Sequence, residues 1–179
     1  MAGNAESLLK QGYQARREHR FEDAKRTYAE AVELCRINDD QPLLARSLTR
    51  LGGSERDLRE IEASLAHYQE AAAIYRTLND PLSLAHTVRH VGDILRETGN
   101  TAPALPCYEE AVAIYRSQPE TEPLDLSNTL RGFALLKAAT GESEASLALW
   151  QETNALYRQV GVEAGIAESE RQIALLKTP

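Results

Sequence analysis

His86 and His90 stand four residues apart, and Asp93 follows three further on. On a helix these three share one face, so two imidazoles and a carboxylate have the spacing of a divalent-metal site. A zinc or iron site also needs ligands that are dry and held by hydrogen-bonded supports, which a single exposed helix does not supply. The H-E-x-x-H arrangement is absent. The histidines therefore read as solvated or ligand-contacting groups, and no metal is expected. Ser54 follows Gly52-Gly53, yet there is no G-x-S-x-G, no phosphate-binding Walker loop and no dinucleotide fingerprint. No nucleophile, base and orienting group converge in the sequence, so neither catalysis nor a cofactor is expected. The chemistry that remains is that of guanidinium groups, whose planar donor forks grip carboxylates in pairs of hydrogen bonds.

Composition narrows the partners. The 179 residues carry 20 Lys and Arg against 27 Asp and Glu, a formal net charge of −7. Phosphate binding draws on clustered positive charge, so neither nucleic acid nor an anionic membrane is an expected partner. No apolar run approaches the ~18 residues of a membrane span, and MAGNAESLLK lacks a basic region followed by an apolar stretch. Cytoplasmic location is the resulting expectation. Cys35 and Cys107 have no C-x-x-C spacing and read as reduced, partly buried small residues.

The elements that position the arginines are visible as repeats. Tyr28 to Arg36 (YAEAVELCR), Tyr68 to Arg76 (YQEAAAIYR), Tyr108 to Arg116 (YEEAVAIYR) and Trp150 to Arg158 (WQETNALYR) start 40, 40 and 42 residues apart. Gly12, Gly52, Gly92 and Ala134 each precede the aromatic by 16 residues. Apolar residues at spacings of three and four make each period two amphipathic helices, and repetition at this interval implies a stacked solenoid. Asp80-Pro81, Gln41-Pro42 and Glu122-Pro123 mark the joints between copies. Gly99-Asn100 and Gly141-Glu142-Ser143 supply turns within copies, with Thr101 and Ser143 expected as helix caps. The small residues on the first helix are expected to face Ala31, Ala71, Ala111 and Thr153 on the second, allowing close backbone approach. Trp150 replaces the tyrosine of the other copies and reads as a larger core filler. Recurring Glu30, Glu70, Glu110 and Glu152, and Arg36, Arg76, Arg116 and Arg158, read as ion-pair ladders between stacked copies.

With a small residue 12 positions after the first (Ala24, Ser64, Ala104, Ser146), an aromatic at 16 and a small residue at 19, the chain resembles the tetratricopeptide repeat family, in its longer subgroup with a period of 40 to 42 residues. The resemblance implies an all-α fold, a right-handed superhelical α-solenoid of antiparallel helix pairs. Copies are expected at about 5–40, 41–80, 81–122 and 123–162, with a capping helix over 163–177 carrying Ala174 at its small position, nine helices within a single domain over 1–179. Ile166, Ile173 and Leu176 should face inward on that cap, and Glu168, Glu170, Arg171 and Gln172 outward. Glu55 and Lys137 depart from the family pattern at a position often apolar, and Pro103 with Pro106 is expected to shorten or kink the second helix of the third copy.

The family's first helices line a concave surface, which implies inward residues at offsets of −6, −3, +1 and +4 from the small residue. The expected peptide-binding face therefore holds Arg46, Thr49, Arg56, His86, Arg89, Arg96, Asn128, Arg131, Leu135 and Arg171. Two readings of its arginines compete. In one they hold an extended acidic segment or a terminal carboxylate. In the other Arg89 pairs with Asp93, and Arg56 or Arg96 with nearby acids such as Glu97. Family members that clamp acidic chaperone tails use Asn with Lys or Arg in three successive copies. Here Leu9 and Tyr13, then Arg50, then His86 and His90 occupy the matching places, without the asparagines, so that grip is not expected. The expected function is a non-catalytic protein-interaction scaffold whose partner is an acidic protein or peptide segment, with a self-association or regulatory module as the alternative. A monomer is expected, and a homodimer would mark that alternative.

Overall fold

The computed structural model describes residues 2–178, the side chains of Ala2 and Gly3 excepted; the expected span of 1–179 reaches beyond them at Met1 and Pro179. Nine helices follow one another among the described residues: α1 (Ala2–Arg17), α2 (Phe21–Ile37), α3 (Gln41–Asp57), α4 (Ile61–Leu78), α5 (Pro81–Glu97), α6 (Thr101–Ser117), α7 (Pro123–Ala139), α8 (Ser143–Val160) and α9 (Glu163–Lys177). None is long and apolar enough to cross a membrane. The chain groups into two compact units, Met1–Thr87 and Val88–Pro179. In the first, α1 packs on α2, α2 on α3 and α3 on α4; in the second, α6 packs on α7, α7 on α8 and α8 on α9.

Short-range chemistry sets the helix ends. Asp40 and Asp80 accept hydrogen bonds from the backbone N–H of Leu43 and Ser83, both at 3.1 Å, and so cap α3 and α5. Pro42 and Pro81 sit in the first turns, where a missing N–H costs nothing. The expected caps on α6 and α8 are corrected. Thr101 and Ser143 are already helical, and Asn100 and Glu142 stand at the cap positions without a side-chain hydrogen bond. The left-handed residues just before them, Gly99 at φ 79° and Gly141 at φ 81°, turn the chain into the helix one residue early. The joint after α6 holds the two extra residues of the longer interval, and Thr121 closes it by donating its hydroxyl to the Tyr115 carbonyl at 2.7 Å. Nor do Pro103 and Pro106 shorten α6, which keeps 17 residues, as many as α2 and α3.

Within each pair the contact differs from the expectation. What lies against each glycine includes the aromatic residue 16 positions on, and the small residue at 19 is not among the nearest groups. A Cβ on Gly12 would fall 2.5 Å from the Tyr28 ring, and one on Gly52 would lie 3.1 Å from the Tyr68 ring. Gly92 meets Cys107 and Tyr108. The reason is shape: a flat ring laid on a bare backbone fills the groove that two small residues would leave empty. The backbones come together at the other small position, where Ser64 donates to the Gly52 carbonyl at 2.7 Å and Ser146 to the Ala134 carbonyl at 2.9 Å. Trp150 is fully buried, as a core filler should be.

The ladders form within each unit. Arg36 reaches both oxygens of Glu70 at 3.0 Å and Arg116 reaches Glu152 at 2.7 and 2.9 Å, while Arg158 reaches Glu170, which is outside the recurring set. Helix α9 docks by a route the period did not indicate. Ala174 is exposed, and Gly165 and Ser169 are the buried small residues, Gly165 lying under Tyr157. Ile166, Ile173 and Leu176 are half-buried, while Glu168, expected outward, turns back to Arg131.

Candidate functional site

In the second unit the arginines of the expected face are occupied by the chain's own groups. Arg89 on α5 donates from Nη1 to Asp93 Oδ2 at 2.9 Å, and its Nη2 lies 2.9 Å from His90 Nε2. The other oxygen of Asp93 accepts from the Tyr108 hydroxyl at 2.7 Å. Arg96 donates from Nε to that hydroxyl at 3.2 Å and from Nη2 to Glu97 at 3.1 Å. Asp93 is only 8% exposed, so the network satisfies a carboxylate that would otherwise be costly to bury. Burial first, and then the Asp93 charge, push the Tyr108 phenol far above its ordinary range. Gly132 on α7 closes the network from outside, since a Cβ there would lie 2.7 Å from the Tyr108 ring and 2.8 Å from Asp93 Oδ1. Phe133 stacks on Tyr108 with ring centres 5.8 Å apart.

Further along the unit, Arg131 on α7 is held by both oxygens of Glu168 on α9, at 2.6 and 2.8 Å. That hydrogen-bonded carboxylate raises the arginine's affinity for its proton still further. Asn128 accepts from the Tyr157 hydroxyl at 2.9 Å. Leu135 is half-buried and Arg171 exposed. The second of the two sequence readings thus describes Arg89 and Arg96, and Arg131 has an internal carboxylate of its own.

The first unit is arranged differently. Its expected members divide: Thr49 donates to the Ala45 carbonyl at 2.9 Å, Arg56 and His86 are half-buried, and Arg46 is exposed with Glu6 as its carboxylate neighbour at 3.9 Å. Between α1 and α3 lies an opening of about 460 Å³, lined by Glu6, Leu9, Lys10, Tyr13, Arg46 and Arg50. Its apolar wall is Leu9 together with Tyr13, which is 51% exposed. Arg17 stands 6.0 Å from the centre of the Tyr13 ring. Arg16, one turn along α1, is withdrawn from the opening by Asp57, which it meets at 2.6 and 3.3 Å. Three cations therefore face one carboxylate around an exposed aromatic. Lys10 and Arg50 were not in the expected set, although a signal existed: both lie two residues before the small residue of their copy, a place that His90 takes in the third.

Tandem antiparallel helix pairs with a glycine-on-aromatic seam define a helical-repeat protein that offers helix faces and openings between neighbouring first helices. The chain belongs to the tetratricopeptide repeat family, whose sequence profile matches residues 4–77 and again 44–117. No curated protein matches it significantly. Among solved structures, the apo form of RapI superposes with a TM-score of 0.91 at 15% identity, over 99% of this chain and 64% of that one. Aspartyl phosphate phosphatase F from Bacillus subtilis gives 0.87 at 15% identity, over 98% of this chain and 46% of that one. BtubC (BKLC) from P. vanneervenii gives 0.81 at 19% identity, over 88% and 64%. The chain thus spans less than two thirds of the length of each of these three. At such identities the likeness establishes the fold.

Proposed function

We propose that this chain is a non-catalytic interaction scaffold whose first helices receive an acidic protein or peptide segment. The observation that supports the reading most is the opening between α1 and α3, where Lys10, Arg46 and Arg50 surround the exposed Tyr13 ring. Carboxylates there would meet donors that are charged and exposed, while an apolar residue beside them would lie on Tyr13 and Leu9. Arg46 is the member of the expected arginine stripe that borders this opening. Arg89, Arg96 and Arg131 serve the reading less directly, because a ligand reaching them would first displace Asp93, Glu97 or Glu168.

The test is fluorescence anisotropy with a labelled peptide containing an aromatic residue flanked by aspartates and glutamates. Binding should weaken steeply as salt rises from about 0.01 to 1 M, over which the screening length contracts from ~30 to ~3 Å. Arg46→Ala combined with Arg50→Ala should weaken it by about tenfold or more, since hydrogen bonds to charged groups contribute about 1.5 to 3 kcal/mol each. Unchanged affinity in that double variant would overturn the reading. Equal binding of a lysine-rich peptide would do the same.

A further inference from the structure

Glu55 breaks the pattern of its position, where the first and third copies carry Ala15 and Leu95. It is only 5% exposed, on the side of α3 turned towards α2 and α4. Its hydrogen-bond partner is His67 of α4, with Oε2 2.7 Å from Nδ1. The imidazole is partly open, its side chain 26% exposed, and both groups border an opening of about 520 Å³ whose floor includes Ala29, Val32 and Leu51. Solvent protons can therefore reach the ring while the carboxylate beneath it stays dry.

We propose that the Glu55 and His67 pair is a proton-operated clamp that fastens α3 to α4 and slackens as the solution turns alkaline. With the ring protonated, the contact is a charge-assisted hydrogen bond between opposite charges, about twice as strong as a neutral one. With the ring neutral, Nδ1 can still donate, but the carboxylate stays buried without a compensating charge. The other charged groups around the ring are paired with one another, with carboxylates in excess. On α2, Lys25 pairs with Glu22 and with Glu60, Arg26 with Asp23, and Arg36 with Glu33 and with Glu70 of α4. Glu55 is the strongest influence on His67, and by its hydrogen bond and then its charge it outweighs partial burial to hold the imidazole above its ordinary value of 6.5; Glu70 adds to this and Arg36 opposes it. The folded state thus holds this proton more tightly than the unfolded chain. The stabilisation is complete below pH 6.5 and is lost as pH rises through the folded value.

The experiment follows the His67 imidazole by NMR across pH and, in parallel, the urea stability of the wild type and of Glu55→Gln, which keeps the shape and the acceptor but not the charge. His67 should titrate above 6.5 in the wild type and fall towards 6.5 in the variant. A midpoint one pH unit high corresponds to about a tenfold change in the folding constant across the transition, absent in Glu55→Gln. A wild-type midpoint at or below 6.5, or the same loss of stability with pH in both proteins, would overturn the proposal. If the variant does not fold, the wild-type titration decides alone. Neither measurement involves peptide binding, so this inference stands or falls separately from the scaffold reading.

Discussion

Gly132 is the residue whose role is hardest to foresee from the repeat and easiest to explain from its surroundings. It shares its place in the copy with Lys10, Arg50 and His90, so the period gives no hint that a side chain is forbidden there. The reason is local to the second unit, where Tyr108 and Asp93 already fill the space a Cβ would need. Gly132→Ala should therefore destabilise by about 1 to 3 kcal/mol through overpacking, even though alanine favours a helix by about 1 kcal/mol; urea denaturation reads the sum. The arginines teach a related lesson. Their positions could be listed from the sequence, but whether Arg89 is free depends on Asp93 one turn away, and whether Arg131 is free depends on Glu168, 37 residues on. Lys10 and Arg50 escaped the expected set because long side chains sweep over more of a helix face than offsets of −6, −3, +1 and +4 allow for.

At the scale of elements, seven of the eight joints turn on a residue with positive φ: His19, Asp39, Arg59 and Asn79 in the first unit, Gly99, Gly141 and Gly161 in the second. Gly141 has nothing within 4 Å of where a Cβ would stand, so a substitution there tests backbone conformation alone. Gly141→Ala should cost about 1 to 2 kcal/mol, lowering the Tm by about 2 to 4 °C per kcal/mol for a chain of this size; a thermal melt would show it. The capping prediction failed for Thr101 and Ser143 at such joints, because a glycine turn moves the helix start by one residue without changing the composition that suggests a cap. Helix α3 illustrates how one element serves two faces. It carries Arg46 and Arg50 at the opening towards α1 and Glu55 at the contact with α4.

For the molecule as a whole, the period was a reliable guide to the number, length and pairing of helices, because helix-pair packing repeats with the residues that produce it. It was a poor guide to α9, where Ala174 at the expected small position is exposed and Gly165 and Ser169 are buried instead. Such architectures predict additivity between distant seams. Gly12→Ala and Gly165→Ala press on Tyr28 and Tyr157, which belong to different units. Each should destabilise, and the double variant should equal their sum within about 0.5 kcal/mol; a larger discrepancy in denaturation midpoints would show that the two seams are coupled.

The seam of a bare backbone against a ring also governs how such a chain can be cut and rejoined. Gly12, Gly52 and Gly92 are each matched to a tyrosine, whereas the fourth copy matches Ala134 to Trp150. Lock and key therefore reside on the two halves of one copy. A chimaera joined at Asp40 or Asp80 inherits intact matches, and one that joins residue 99 to residue 142 sets Gly92, matched to a tyrosine, against the Trp150 indole.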